Sequence, residues 1–246
     1  MSMTIRFDVE SDTGRERPGN EDMALVMGQQ IRDGGLSVTV PVDSETCIAA
    51  IVCDGMGGYE GGEVASLMVT SSFRDFAGAL EPGLDAADLV MRIKGWFAKA
   101  NSEVLMAAGG SGMGCTLTGF LIYGGRPYCL NCGDSRVYRL RYGHLKQLTV
   151  DHSERNRLGD MTVPSNIIYN AVGVPGAFVD IEPTKFVAGD TYVICSDGLN
   201  DMIGDAVIKE ALESGACTAR RLVDEANLAG GRDNITVILM QVADED

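Results

Sequence analysis

Helix-like spacing is confined to two paired stretches of the chain, and nearly everything else reads as strand. Apolar residues Val90, Ile93, Phe97, Ala100 and Val104 recur at three- and four-residue steps, predicting a helix over 86–107, with another before it over 62–76. A second pair is expected near 205–214 and 218–228. Strands are expected over 5–10, 22–27, 36–40 and 47–53, then over 115–122, 127–131, 136–140 and 144–148, and finally over 180–186, 191–195 and 235–242. The order is strands, two helices, strands, two helices, strand. Helices that do not alternate with strands argue against a doubly wound parallel sheet, and favour packed antiparallel sheets with helix pairs outside, an α+β fold.

Within that frame, Arg32-Asp33-Gly34-Gly35 reads as a hairpin turn. Gly124-Gly125, Gly133-Asp134 and Tyr142-Gly143 read as the turns of an antiparallel meander. Residues 153–170 lack periodicity and are expected to be an irregular surface segment. No repeat, low-complexity tract or Pro/Ser-rich linker divides the 246 residues, so one domain over 1–246 is expected.

Acidic residues outnumber basic ones by 35 to 20, a net charge of −15 that disfavours nucleic acid and anionic lipid as general partners. No apolar run approaches the ~20 residues of a membrane span, and MSMTIRFDVESDTG is not a secretory leader, so a cytoplasmic protein is expected. Seven cysteines, an odd number set mostly in apolar runs, suit buried reduced thiols. Cys129 and Cys132 form a CxxC, the alternative thiol or zinc reading, but it lies in a strand pattern with no second pair at zinc-ribbon spacing.

The excess acid matters by position. Asp54 ends the apolar run 48–53 and precedes Gly55; Asp197 ends the run 192–195 and precedes Gly198, with Asp201 four residues on. Asp134 stands in the NCGDSR turn, Asp233 in GGRDN before the last strand, and Glu21 and Asp22 open the second strand. Asp and Gly are also ordinary turn residues, so no single position decides the matter. Carboxylates at the ends of buried strands are costly unless paired or bound to a cation, and several converging ones repel without positive charge among them. An all-oxygen set suits Mg²⁺ or Mn²⁺, and two histidines, His144 and His152, are too few for a histidine-rich site.

Seven blocks carry a resemblance to the PPM (type 2C) metal-dependent protein phosphatases of bacterial type. They are RPGNED (Arg17–Asp22), VCDGMGG (Val52–Gly58), GCTLT (Gly114–Thr118), NCGDSRVY (Asn131–Tyr138), QLTVDHS (Gln147–Ser153), CSDGLND (Cys195–Asp201) and RDNITV (Arg232–Val237). The resemblance runs from about Thr13 to Val242. It implies a four-layer αββα sandwich, two packed antiparallel sheets flanked by helix pairs, and hydrolysis of phosphoserine and phosphothreonine monoesters by a water activated between two Mn²⁺ or Mg²⁺ ions.

The same resemblance implies residue roles. Asp54 would bridge both metals, with the Gly55 carbonyl on one of them; Asp197 and Asp233 would complete one sphere, and Glu21 and Asp22 would act on the other. Asp134, with Asp197 and Asp201, matches a weaker third-metal site. Arg17 would hold the substrate phosphate, and Asn234 would orient ligands. Two cations about 4 Å apart would lower the pKa of the water between them and neutralise phosphoryl oxygens, with no covalent intermediate. Arg17, Asp22 and Asp54 are thus the expected catalytic residues.

Two positions depart from the family pattern. Met56 stands where many eukaryotic members carry a histidine general acid, and Tyr59 stands where bacterial members usually carry His. The segment at about 152–172 corresponds to the substrate-facing flap and is short. The implied partners are phosphoproteins, those of a partner Ser/Thr kinase, and a monomer is expected. The alternative, an inactive phosphoprotein-binding relative, would have lost metal ligands, whereas Asp54, Asp197 and Asp233 are all present.

Overall fold

The computed structural model describes residues 3–57, 61–164 and 166–245. The chain opens with β1 (Met3–Asp12), β2 (Met23–Val26), β3 (Gln29–Ile31), β4 (Gly34–Val42), β5 (Cys47–Cys53) and the two-residue β6 (Gly55–Met56). Helices α1 (Gly61–Gly78) and α2 (Ala86–Ala108) follow. Next come β7 (Gly114–Cys115), β8 (Leu117–Tyr123), β9 (Arg126–Cys132), β10 (Arg136–Arg141), β11 (His144–Gln147) and the short helix α3 (Glu154–Leu158). After β12 (Asp180–Pro183) and β13 (Thr191–Cys195) come α4 (Asp197–Asn200), α5 (Asp205–Glu213), α6 (Ala219–Leu228) and finally β14 (Ile235–Asp244).

Two six-stranded antiparallel sheets result, ordered β11-β10-β13-β14-β1-β4 and β12-β9-β8-β5-β2-β3, with β6 and β7 as a separate pair. Strand alternation decides what each face meets. In β5, Ile48, Ala50 and Val52 face the other sheet, while Ala49, Ile51 and Cys53 face α1 and α2. In β14, Ile238, Met240 and Val242 point between the sheets, while Ile235, Val237 and Leu239 point to α5 and α6. Strands covered on both faces read as continuous apolar runs, which is why 47–53 and 191–195 show no alternation. The layers are helices, sheet, sheet, helices, as expected.

Helix α2 starts where the Asp85 side chain accepts the Asp88 N–H at 2.9 Å and stops at Gly109, whose φ of 53° suits glycine. Its buried stripe runs through Leu89, Ile93, Trp96, Phe97, Ala100 and Val104, with Val90 only partly covered. Trp96 packs on Phe73 of α1 with ring centroids 4.6 Å apart. Among the described residues no helix is long and apolar enough to cross a membrane.

Two expected connections differ. The hairpin joins β2 to β3 and turns at Met27-Gly28, with φ of 51° and 76°; residues 32–33 instead carry the chain from one sheet to the other. Met-Gly lacks the usual Asn-Gly or Asp-Gly signature of such a turn, so the sequence hides it. The expected meander is two hairpins on opposite sheets, β8–β9 and β10–β11. Gly133-Asp134-Ser135 crosses between the sheets rather than closing a hairpin. Within 153–170 the chain forms α3, and Ser153 bridges Ile168.

Candidate active site

Strand pairing brings the acidic residues to one end of the sandwich. Met23 pairs with Cys53, so Asp22 and Asp54 occupy neighbouring strand ends. Arg136 pairs with Cys195 and Cys195 with Val237, which places Asp134, Asp197 and Asp233 at the corresponding end of the other sheet. The two groups face each other across the sandwich. Asp54 feels Asp22, Asp197, Asp134 and Asp233.

Desolvation dominates the electrostatics. Asp54 is driven well above the usual carboxylate range by burial first and then by those four acidic neighbours, although one side keeps contact with water. Burial likewise lifts Asp22 and Asp134 to about 7 and Asp197 to about 6. Glu21 and Asp201 are raised in the same way, again chiefly by burial. A cluster of this kind stays protonated, or gathers positive charge, before it ionises.

Several side chains hold the cluster in place. Ser196 Oγ donates to Asp22 Oδ2 at 2.7 Å, and the Asp22 N–H donates to Asn20 Oδ1 at 3.1 Å. The Asp54 N–H donates to Thr116 Oγ1 at 2.9 Å, and Thr116 meets Ser135 Oγ at 2.8 Å. Asn234 accepts the Glu21 N–H at 2.8 Å and donates Nδ2 to the Thr13 and Gly19 carbonyls, both at 2.9 Å, tying the 13–21 loop to β14. Arg17 donates to Asp233 Oδ2 at 2.6 Å. It also lines a cleft of about 510 Å³ with Asn20, Glu21, Gly57, Glu63 and Asn234.

Two observations fit a hard cation. Asp22 Oδ1 is buried without a hydrogen-bond partner, an uncommon state for a carboxylate oxygen. A Cβ on Gly55 would lie 2.4 Å from the Gly62 carbonyl oxygen and 2.5 Å from that of Glu21, so only glycine lets these three backbones meet. As the side chains stand, no three His, Cys, Asp or Glu among the described residues have ion-gripping spacing; Arg17, for one, draws Asp233 to itself. The orphan Asp22 oxygen and the acidic neighbours of Asp54 mark where positive charge would be drawn, because neighbouring carboxylates disfavour one another's ionisation.

The expected site residues Arg17, Glu21, Asp22, Asp54, Gly55, Asp134, Asp197 and Asp233 therefore collect at one end, with Asp201 at its outer rim, its surface open to water and its inner side covered. Met56 is described and offers no titratable group, whereas Gly58 and Tyr59 lie outside the described residues. Glu63, Thr116, Ser135 and Ser196 had no expected role; Thr116, Ser135 and Ser196 sat in the sequence blocks, but their partners are far along the chain. Cys129 faces the space between the sheets and Cys132 the helices, so the CxxC cannot act as one site.

No protein-family model matches the chain. It is 32% identical to the serine/threonine phosphatase Stp of Listeria innocua over 96% of both chains. It is also 32% identical to the serine/threonine protein phosphatase PstP of Mycobacterium tuberculosis, matching over its whole length but spanning about half (46%) of that relative. The solved catalytic domain of PstP in complex with two manganese ions superposes with a TM-score of 0.79 at 32% identity, covering 98% of this chain and 100% of that one. With its acidic strand ends arranged as described, the chain belongs to the bacterial PPM-type serine/threonine protein phosphatases.

Proposed function

We propose that the chain is a metal-dependent phosphatase hydrolysing phosphoserine and phosphothreonine monoesters of proteins. The carrying observation is the meeting of Asp22, Asp54, Asp134, Asp197 and Asp233 in surroundings that push Asp54 far from its ordinary ionisation. Asp54, Asp197 and Asp233 would hold one Mn²⁺ or Mg²⁺, and Asp54, the Gly55 carbonyl, Asp22 and Glu21 the other, with Asp134 and Asp201 supporting a weaker third. Bound there, the ions supply Lewis acidity and a nucleophilic water at neutral pH.

The protein's own part is positioning. Ser196 and Asn20 fix Asp22, and Thr116 fixes the Asp54 backbone, so the central carboxylates stay where burial disfavours their charge. Asn234 holds the 13–21 loop, which sets Arg17 at the cleft wall. Arg17 would exchange Asp233 for a substrate phosphate dianion, offering paired N–H donors. Met56 has no proton to give, so the leaving serine oxygen takes its proton from water rather than from a side chain at that position.

Residues 1–246 would act as one domain, with 152–172 as a short flap beside the Asp134–Asp201 end; the Arg155 charge acts on Asp201, which supports that location. Phosphoproteins of a partner kinase would be the substrates, and the protein a monomer. Seven free cysteines support a reducing, cytoplasmic setting. The test is hydrolysis of a phosphoserine peptide with and without Mn²⁺. Turnover that needs the ion and vanishes in Asp54→Asn supports the reading, and metal-independent turnover refutes it.

A further inference from the structure

Outside the acidic end, a buried polar junction centres on His152, which the mechanism leaves unused and which is 3% exposed. Its backbone N–H donates to the Gly133 carbonyl at 2.9 Å, and its carbonyl accepts the Tyr169 N–H at 2.9 Å. The Gly133 N–H lies 3.1 Å from the ring Nδ1, and Asn170 Nδ2 lies 2.8 Å from the same nitrogen. Asn170 is oriented independently, since its Oδ1 accepts the Phe178 N–H at 3.1 Å and its Nδ2 also donates to the Phe178 carbonyl at 2.9 Å.

These partners assign the ring. A backbone N–H can only donate, so Nδ1 is the acceptor, and the proton sits on Nε2, which points at Asp180 Oδ2 at 2.9 Å. The Tyr169 and Phe178 rings flank the imidazole, with centroids 5.6 and 5.0 Å away. One lone pair therefore takes a donor from the turn that carries Asp134 and a donor from the far stem of the flap. Among the described residues of that turn and stem, His152 is where the two are joined side chain to backbone.

The flap's other fastening leads to the opposite metal-carrying loop. Val172 bridges Cys115, and Cys115 pairs with Gly55. Near its start the flap is held by Asn156 Nδ2, which donates to the Asp151 carbonyl at 3.0 Å, and by the Glu154 N–H donating to Ile167 O at 2.7 Å. The downstream tie is backbone to backbone at Val172, and just beyond it Asn101 of α2 accepts the Gly173 N–H at 2.7 Å and donates to the Val174 carbonyl at 3.1 Å. The upstream tie depends on an imidazole.

We infer that His152 is a positioning residue: through the Nδ1 acceptor it locks the Asp134 turn to the flap stem at Asn170, so that the flap's height over the site is set by the same turn that carries an acidic ligand. This rests on the phosphatase reading and goes beyond it by naming what fixes the flap. A side chain that keeps an acceptor at the Nδ1 position should preserve the lock, because Asn places its Oδ1 close to where Nδ1 lies. Contact with Asp180 should matter little, since that carboxylate is 48% exposed and solvated without it.

The experiment compares wild type, His152→Leu, His152→Asn and Asp180→Asn on a phosphoserine peptide at saturating Mn²⁺, with amide hydrogen exchange read over 154–164. The expected result for His152→Leu is a KM raised about tenfold with kcat held within about threefold, the pattern of lost binding rather than lost chemistry. His152→Asn should return KM to within about threefold of wild type, and Asp180→Asn should match wild type. Exchange over 154–164 should quicken in the Leu variant and recover in the Asn variant. An unmoved KM in His152→Leu, or kcat falling together with melting temperature in both His152 variants, overturns the inference. If wild type itself shows no Mn²⁺-dependent turnover, the phosphatase reading fails; the exchange comparison then decides the lock alone, and unchanged exchange in His152→Leu refutes it.

Discussion

The space between the two sheets and the end of those sheets are built from the same strands, yet they contribute to stability with opposite signs. Between the sheets, Ile5, Phe7, Ile48, Val52, Phe120 and Ile238 are almost fully buried and ask for nothing but packing. Each such side chain contributes about 1.5–3 kcal/mol by leaving water. A residue or two beyond, Asp22 and Asp54 are withdrawn as well, but their charge is unwelcome there. The difference teaches that the apolar middle is what keeps the acidic end assembled. Rigid strands hold carboxylates in a place they would leave if free, which readies them for cations.

Four variants or conditions sharpen that contrast. The largest effect is expected for Asp54→Asn: turnover of a phosphoserine peptide falls at least about 10²-fold, while the metal-free protein melts higher because the cost of keeping a carboxyl where its charge is disfavoured is gone. Calorimetry and a steady-state assay on one preparation check both halves. A variant that lost activity and stability together would break the comparison.

Phe120→Ala acts at the other region. Its ring meets Tyr192 and Phe186 edge-on with centroids 5.3 and 6.0 Å away, so truncation should cost about 3–5 kcal/mol in denaturant unfolding. The folded variant should still take up Mn²⁺ and turn over substrate, because Phe120 packs in the apolar cluster between the sheets.

Acidity separates the regions without mutation. Asp22 and Asp134 have folded-state values of about 7 against 3.8 ordinarily. A raised carboxyl value favours the folded state fully below the ordinary value and loses that benefit as pH climbs to about 7. The acidic end should thus weaken the metal-free protein between about pH 4 and 7. Since protons compete with cations for the same oxygens, the gap between Mn²⁺-loaded and metal-free melting temperatures should widen from pH 5 to pH 8. A gap that stays constant would count against the cluster as the binding site.

The smallest effect is expected for Cys132→Ser. The thiol is buried against the helices, so a hydroxyl there costs about 1–2 kcal/mol of stability, while activity stays within about twofold. Loss of activity in a folded variant would revive the thiol reading.

How much of this was legible in the sequence follows from how local each feature is. Asp54 and Asp197 were readable because an apolar run followed by Asp-Gly marks the end of a buried strand, whatever lies elsewhere. The layers were readable because two helix pairs interrupt long stretches of strand. By contrast, Gly133–Ser135 looks like a hairpin turn from its residues, and only its pairing partners reveal that it crosses between sheets. Ser196 and Thr116 were invisible as supports, since Ser196 reaches Asp22 across 174 residues and Thr116 reaches Asp54 across 62. His152 lay inside a recognised block, but its role depends on Asn170, which no block contained.

The most direct test of the central idea is isothermal titration of the chelator-stripped protein with Mn²⁺ at pH 8, alongside Asp54→Asn. The account predicts at least two bound ions in the wild type and the loss of tight uptake in the variant. Equal uptake by both proteins, or none by the wild type, would contradict it.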